Sequence, residues 1–298
     1  MTRAAVLRGP TFEVAARPPH PALGAFVRRL VGFAEHAPAP IRRLEMPASS
    51  VALIVGFEGD GWAIEQGGAA RGRHAAFAAG LHGTAAVTEQ HGRVAGVQAD
   101  LTPEGAHRLL AVSMAELAGT VAPLDDAAGG DPATRALAER LGDTAGWDAR
   151  LDLTEAWLAR RLDRTPAGGA PHVAHAVRRL RETGGTVPVG VLCEEIGWSR
   201  RHLAKRFREH TGVTPKAMAR LVRFEGAVAA LAREDRPDLA RVALDCGYAD
   251  QAHFTREFHG FAGLPPGAYV RHRADPAAGI SGAIAEVTSV QDPSSAAA

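Results

Sequence analysis

The chain has 298 residues, of which 46% are hydrophobic and 22% charged, and its formal net charge is +1. This length and composition are typical of a water-soluble protein of one or two domains, and no apolar run reaches the ~18 residues that a membrane-spanning helix needs. The N-terminus lacks the long apolar core of a secretory signal, and two cysteines are too few for a disulfide framework. We therefore expect a cytoplasmic protein with no membrane attachment.

The first half of the chain contains apolar runs separated by glycine turns, which is typical of β-strands. Before them, residues 21–34 have apolar side chains at spacings of 3 and 4, so this stretch is predicted to be a helix. Five or six strands are then expected in a small barrel or sandwich, the first two of them as a hairpin. The clearest predicted strands are 49–57, 62–66, 75–79, 85–89 and 94–101.

Helices are predicted to end this first domain. Thr102, Pro103 and Glu104 form a helix start, because they provide an N-cap, a proline at the first position and an acid in the first turn. Ser113 and Asp131 mark two further starts. The predicted helices are 105–112, a short one after residue 113, 133–141 and 148–162. We place a β-rich domain that ends in helices at 1–163, and a proline- and glycine-rich linker at 164–171.

The second half of the chain contains a duplicated pattern. The segment GWSRRHLAKRFREHTGVTP (197–215) recurs imperfectly as GYADQAHFTREFHGFAGLPP (247–266). Five matching positions are shifted by 51 residues and the leading glycines by 50, so the second copy has one more residue in its turn. Each copy follows a short apolar helical pattern, and helix, glycine turn and second helix together are the signature of a helix-turn-helix unit.

The two units predict an all-α domain at 172–273. Its helices are expected at about 172–182, 189–196, 200–211, 215–233, 237–246, 250–261 and 266–271. The long helix 215–233 would span about 28 Å at 1.5 Å per residue, and we expect it to hold the two units rigidly and to set their spacing. The remaining residues, 274–298, have no periodicity and are predicted to be disordered.

The charge is unevenly distributed between the two halves. Residues 171–273 contain 17 Lys and Arg against 11 Asp and Glu, a net charge of +6, whereas the rest of the chain contains 17 against 22, a net charge of −5. Such an asymmetry is typical of a nucleic-acid-binding domain joined to a domain that does not bind nucleic acid.

The predicted helix 200–211 has a basic face opposite an apolar one. The basic face contains Arg201, Ala204, Lys205 and Arg208, and the opposite face contains Leu203, Phe207 and His210. Ser199 is placed to cap the helix, and arginine is the side chain that most often reads guanine. A charge cluster is usually only a solvated surface, but in a repeated helix-turn-helix frame we interpret this one as a DNA-contact face.

The duplication resembles the AraC/XylS family of bacterial transcription regulators over residues 171–273, most closely in the runs ALDCGYADQAHFTREF and GLPPGAY. The resemblance implies two helix-turn-helix units joined by a long helix, each with one recognition helix in the DNA major groove. The DNA-contact residues expected in the first unit are Arg200, Arg201, Ala204, Lys205 and Arg208. The family's contact positions in the second unit correspond to Gln251, Ala252, Thr255 and Arg256. Since only Arg256 among these four is a strong donor, we expect the first unit to read most of the sequence.

The first domain has no recognisable catalytic or cofactor motif. His74, His82 and His91 lie in the predicted β region, but no cysteine or carboxylate accompanies them at a spacing typical of metal ligands. Nucleophile, P-loop and Rossmann motifs are absent from the sequence. We therefore predict no catalytic residue, no metal and no cofactor. By analogy with the family, this domain would bind a small-molecule effector or a second copy of the chain.

These observations favour an α+β, two-domain protein that regulates transcription and is not an enzyme. Its expected partners are double-stranded promoter DNA, RNA polymerase, a small-molecule effector and a second copy of the chain. Two alternatives remain open at this stage: an enzyme whose N-terminal β domain is catalytic and fused to a DNA-binding domain, and a non-specific architectural DNA binder.

Overall fold

The computed structural model describes residues 3–165 and 170–273. The predicted tail at 274–298 and the middle of the predicted linker, 166–169, lie outside the described residues. In the part that is described, no helix is both long enough and apolar enough to cross a membrane.

One hydrogen-bonded sheet of nine strands forms the first domain within the described residues. The main strand order is β1-β2-β3-β8-β4-β7-β9, and β5 pairs with both β6 and β8. The strands are β1 (Ala5–Arg8), β2 (Phe12–Arg17), β3 (Val27–Glu45), β4 (Val51–Glu58), β5 (Trp62–Gln66), β6 (Ala69–His74), β7 (Ala76–Ala79), β8 (Ala86–Leu101) and β9 (Val121–Pro123).

Strand β3 occupies most of the stretch 21–34 that was predicted to be a helix, so that prediction is wrong. Only Pro21–Leu23 forms a turn of 3-10 helix. Both faces of β3 are covered: Leu30 packs into the main core, and Val31 packs with Val14 on the other side. A strand buried on both faces tolerates consecutive apolar residues, and here their spacing resembled a helical pattern.

Strand β8 organises the sheet. It is one continuous strand where two were predicted, and it pairs with β3 along its length, with an irregularity between Ala37 and Ile41 of β3. Strand β4 pairs with its C-terminal half and β5 with its N-terminal half. The predicted hairpin of β4 with β5 is therefore wrong, since both pair with β8 and the hairpin partner of β5 is β6.

In the described part of this domain, five α-helices come after β8, and β9 lies between the second and the third of them. They are α1 (Pro103–Leu109), α2 (Met114–Leu117), α3 (Leu124–Ala127), α4 (Pro132–Asp143) and α5 (Trp147–Arg164). The three predicted start signals are confirmed: Thr102, Ser113 and Asp131 each accept a hydrogen bond from a backbone N–H in the first turn that follows. On another part of the sheet, Trp62 stacks edge-on against Phe33 and Phe77.

Seven helices form the second domain in the described residues. They are α6 (Pro171–Glu182), α7 (Val189–Ile196), α8 (Arg200–Thr211), α9 (Pro215–Ala232), α10 (Leu239–Asp245), α11 (Gln251–Ala262) and α12 (Pro266–Arg273). Their bounds agree with the predicted ones to within about two residues. Side chains cap the starts of α8, α9, α10 and α11, and glycines end α7, α8 and α11. The predicted fold class, a β-rich domain ending in helices and then an all-α domain, is confirmed.

The first helix-turn-helix unit and the N-terminal domain share one hydrophobic core. Leu203 and Phe207 of α8 belong to the same buried cluster as Leu109 of α1 and Met114 of α2. A β-carbon placed at Gly212, just after α8, would lie only 2.2 Å from the carbonyl oxygen of Met114. The C-terminal end of α8 is therefore docked closely on α1 and α2. The second unit has its own cluster, centred on Phe224, and packs Met46 of the first domain against it.

Candidate nucleic-acid interface

The turn of the first unit has the geometry that its sequence predicts. Gly197 ends α7 with a φ of +75°, a left-handed conformation that favours glycine. The backbone N–H groups of Gly197 and Trp198 both donate to the carbonyl oxygen of Cys193, at 2.9 and 3.0 Å. Ser199 then caps α8, because its hydroxyl accepts from the N–H of His202 at 3.2 Å.

The second unit repeats this turn with one additional residue. Gly247 has a φ of +76°, and the N–H of Tyr248 donates to the carbonyl oxygen of Ala243 at 2.9 Å. The carboxylate of Asp250 caps α11 by accepting from the N–H of His253 at 2.6 Å. Ala249 is the inserted residue, and it explains why the glycines are shifted by 50 positions and the recognition helices by 51.

Each turn is closed by an aromatic ring that packs edge-on against a histidine of the recognition helix. The ring centroids are 4.5 Å apart for Trp198 and His202, and 5.4 Å apart for Tyr248 and His253. Burial raises the pKa of the Tyr248 hydroxyl. These contacts assign the four side chains to the framework of the turns.

The two faces of α8 are arranged as predicted. Leu203 and Phe207 are fully buried. The predicted contact residues lie on the accessible side: Arg200, Arg201, Lys205 and Arg208 are exposed and Ala204 is half-buried. The surface that could reach a DNA groove is therefore the basic one.

The cations of this face are largely uncompensated. In the described parts of the chain, Arg200, Arg201 and Arg208 have no carboxylate within ion-pair distance, and Lys205 reaches Glu209 only at 4.0 Å. Arg206 of the same helix, by contrast, pairs with Glu209 at 2.7 Å. Unpaired guanidinium groups on an exposed helix face can neutralise phosphates and donate to base edges without first breaking an internal ion pair.

Helix α11 has the same division into faces but carries less charge. Phe254 and Phe258 are fully buried. The predicted contact residues Gln251, Ala252 and Arg256 are exposed, and Thr255 is half-buried. Arg256 has no carboxylate partner within the described ranges, so it is the strongest anion-binding group on this face.

A carboxylate of α11 that the sequence analysis missed ties this helix to α9. Glu257 Oε2 lies 2.7 Å from Arg220 Nε, and Glu257 Oε1 lies 3.3 Å from Arg223 Nη2. The Glu257 side chain is only 8% exposed. Glu257 comes three residues after the buried Phe254, so it lies beside the apolar face of α11. A carboxylate at this position of the sequence is the signal that could have identified the contact.

The two units also contact each other directly. Arg223 Nη1 donates to the carbonyl oxygen of Gly185, in the loop before α7, at 3.1 Å. A β-carbon at Gly247, in the turn of the second unit, would lie 2.4 Å from Cγ2 of Thr186 in the same loop. Both units therefore meet beside the same part of α9, near Arg223. These contacts fix the position of one recognition helix relative to the other.

The three histidines of the first domain do not form a cluster. A ring nitrogen of His74 hydrogen-bonds the carbonyl oxygen of Arg71, and one of His82 hydrogen-bonds that of Thr84. Burial lowers the pKa of His82, whereas His91 is exposed. Throughout residues 3–165 and 170–273, no group of three or more His, Cys, Asp or Glu side chains is placed to hold a metal ion.

Comparison with known proteins gives a family match within the second domain. Residues 192–272 match a family model described as a helix-turn-helix domain. The HTH-type transcriptional activator RhaR of Pectobacterium carotovorum is 35% identical over 124 residues, covering 40% of this chain and 43% of the relative. RhaR of Pectobacterium atrosepticum is 36% identical over 78 residues, covering 26% and 27%. The chain thus spans less than half the length of these curated relatives.

Among solved structures, ToxT from Vibrio cholerae is similar with a TM-score of 0.47 and 8% identity, covering 88% of this chain and 98% of ToxT.

Proposed function

We propose, from the premise that the C-terminal domain of this chain is an AraC-type helix-turn-helix domain, that the protein is a sequence-specific regulator of transcription. Helices α8 and α11 would read two successive major-groove segments of a promoter. The observation that carries this proposal is the exposed basic face of α8, whose guanidinium groups lack carboxylate partners in the described residues. The curated relatives are named transcriptional activators, which supports a regulatory rather than an enzymatic role.

The contact residues divide by chemistry. Arg201 and Lys205 are proposed to read bases, with Arg200 and Arg208 on neighbouring phosphates and Ala204 against a thymine methyl group. In the second unit, Arg256 is the main donor, and Gln251, Ala252 and Thr255 complete the face. The capped N-terminus of α8 favours a phosphate contact. The first unit therefore supplies most of the sequence discrimination.

Arg201→Ala and Lys205→Ala should each weaken binding to the cognate site by about 1–3 kcal/mol, because each removes one base-reading side chain. The assay is footprinting of the DNA upstream of the gene, followed by titration of the protected fragment. Arg206→Ala is the matched control, since it removes the same charge from α8 but on a side chain already paired with Glu209. Equal losses on the protected site and on random DNA would indicate a non-specific binder instead.

The division into domains is part of the proposal: residues 1–163 sense or dimerise, 164–171 link, and 172–273 bind DNA. RNA polymerase, a small-molecule effector and a second copy of the chain are the proposed partners, in the cytoplasm at the DNA. Ligand or partner binding to the first domain would change DNA occupancy through its contacts with α8 and α9.

The fragment 171–273 should fold and bind DNA without the first domain, since the second unit has its own core around Phe224. The first unit should be less stable there than in the full chain, because Leu203 and Phe207 lose their α1 and α2 neighbours. Circular dichroism and DNA titration at several salt concentrations provide the measurement, and log affinity should fall linearly with log salt. An unfolded or DNA-inert fragment would contradict the division.

A further inference from the structure

The first domain contacts both recognition helices, and it does so at their C-terminal ends. The end of α8 docks on α2, where a β-carbon at Gly212 would lie 2.2 Å from the carbonyl oxygen of Met114. The end of α11 docks on the segment before β8, where the N–H of Ala85 donates to the carbonyl oxygen of Phe261 at 2.6 Å. Two segments of the first domain thus touch the two helices that are proposed to read DNA.

We propose that these segments, 80–85 and 114–120, act together as one bracket that holds the recognition helices at a fixed separation. That separation determines which spacing of two DNA segments the protein can read at once. The bracket is then a specificity-determining element that lies in the first domain, outside the helix-turn-helix units. This inference rests on the proposed function, in which α8 and α11 read successive major-groove segments.

The two halves of the bracket are bonded to each other. Strands β7 and β9 pair antiparallel, and their pairing continues into the bracket. The N–H of Gly80 donates to the carbonyl oxygen of Thr120 at 3.1 Å. The N–H of Gly119 donates to that of Leu81 at 2.9 Å. The halves also lie very close, since a β-carbon at Gly80 would be 2.0 Å from the carbonyl oxygen of Leu117. A displacement of one half therefore moves the other.

The bracket reaches α11 through a carbonyl group that the helix itself leaves free. The last four carbonyl groups of an α-helix lack a partner within the helix, and Phe261 carries one of them in α11. The Phe261 ring is 3% exposed and lies 5.0 Å from that of Phe224 on α9, so the bracket acts on α11 through its aromatic core. On the bracket side, Nδ1 of His82 hydrogen-bonds the carbonyl oxygen of Thr84 at 2.6 Å and so shapes the bend just before Ala85.

The contact with α8 is made by packing. Met114 and Leu117 of α2 lie in the same buried cluster as Phe207 of α8. A β-carbon at Gly212, the residue that ends α8, would also lie 2.8 Å from the β-carbon of Ala118. Helix α8 cannot slide along α2 without breaking this packing, whereas a single backbone hydrogen bond joins α11 to the bracket. The α11 end is therefore the one that is more easily released.

The test uses the full-length protein and DNA probes whose two footprinted segments keep their natural spacing or have it changed by one base pair. One base pair moves a segment by about 3.4 Å and turns it by about 35°. The wild-type protein should prefer the natural probe by about tenfold, the order of loss that follows when one specific contact is missed. Gly80→Ala should narrow this preference to about threefold, because a recognition helix that is no longer pre-positioned can follow either spacing.

Gly83→Ala is the matched control. Neither Gly80 nor Gly83 has a positive φ, so the two substitutions differ in sterics alone. A β-carbon at Gly83 would meet no atom within 4 Å among the described residues, and this variant should keep the wild-type preference. A general loss of stability would weaken binding to all probes equally and leave the preference unchanged.

A second pair of variants acts at the other end of the bracket. Ala85→Pro removes the N–H that bonds Phe261 and should narrow the preference as Gly80→Ala does, whereas Ala85→Ser keeps the N–H and should not. The domains should stay together in all of these variants, since Ser49 still bonds Glu225 of α9. Circular dichroism checks that each variant is folded.

A measurement on the wild-type protein needs no substitution. On a shifted probe, footprinting should show only one segment protected, and the Ala85 amide should stay protected from hydrogen exchange because α11 remains on the bracket. Three results would overturn the inference: an Ala85 amide that exchanges freely in the wild type, wild-type protection of both shifted segments while that amide stays protected, or folded Gly80→Ala and Ala85→Pro proteins with the wild-type preference. Absence of any specific footprint by the wild type would instead contradict the proposed function, and exchange at Ala85 would still decide whether the bracket holds α11.

Discussion

Phe207→Ala should lower the free energy of unfolding by about 3–5 kcal/mol, the usual cost of deleting a fully buried aromatic side chain. Phe207 has no exposed surface and lies in the cluster that joins α8 to the first domain. The neighbouring Arg208→Ala should change the free energy of unfolding by no more than about 0.5 kcal/mol, since Arg208 is exposed and has no carboxylate partner in the described residues. Urea denaturation of both variants measures the difference.

In DNA titrations of folded protein, substitution of Arg208 should have the larger effect on affinity and substitution of Phe207 the smaller one. Arg208→Ala should weaken binding and reduce its salt dependence, because one phosphate contact is lost. Phe207→Leu, which keeps most of the buried volume, should bind DNA like the wild type. If Arg208→Ala destabilises the fold and Phe207→Ala affects only DNA affinity, the faces of α8 are assigned the wrong way round.

The second domain could be predicted from the sequence because its helix ends depend on local chemistry. Gly197 and Gly247 adopt left-handed conformations, and Ser199 and Asp250 cap the helices that follow. Each of these signals involves residues only a few positions apart. The same local patterns predicted which faces of α8 and α11 are accessible: seven of the nine predicted contact residues are exposed, and Ala204 and Thr255 are half-buried.

The first domain was predicted less well because its sheet depends on contacts between residues distant in the sequence. Strands β4 and β5 are adjacent along the chain, yet each pairs with a different half of β8. Nothing local distinguishes this arrangement from a hairpin. Burial of both faces of β3 removed the alternation that identifies a strand, so the helical period was the stronger signal in residues 21–34.

Helix α9 packs against both helix-turn-helix units. Met218, Ala219 and Val222 of α9 belong to the first cluster, and Leu221, Phe224, Ala227 and Leu231 belong to the second. Where the two sets of contacts meet, lateral contacts of Arg220 and Arg223 connect the helix to both units. That the length of α9 sets the spacing of the two units stays a prediction.

Glu257 is the strongest of these lateral contacts, and we expect Glu257→Ala to lower the free energy of unfolding by about 2–3 kcal/mol. The value lies below the 3–5 kcal/mol typical of a fully buried pair, because Arg220 is 43% exposed. Arg223, only 17% exposed, would be left without its carboxylate while still bonded to Gly185 of the first unit. Glu209→Ala is the matched control. Its carboxylate is 40% exposed and should contribute no more than about 0.5 kcal/mol.

Glu257→Ala should also affect DNA binding, because the orientation of α11 relative to α8 would no longer be fixed. Without the Glu257 carboxylate, α11 keeps its aromatic packing on α9 but loses the two ion pairs that fix its orientation. At a temperature where circular dichroism shows the variant folded, footprinting should show full protection of the segment read by Arg201 and Lys205 and weakened protection of the segment read by Arg256. If Glu257→Ala protects both segments as the wild type does and unfolds at the same urea concentration as Glu209→Ala, the ion pairs do not position α11, and its aromatic core alone must do so.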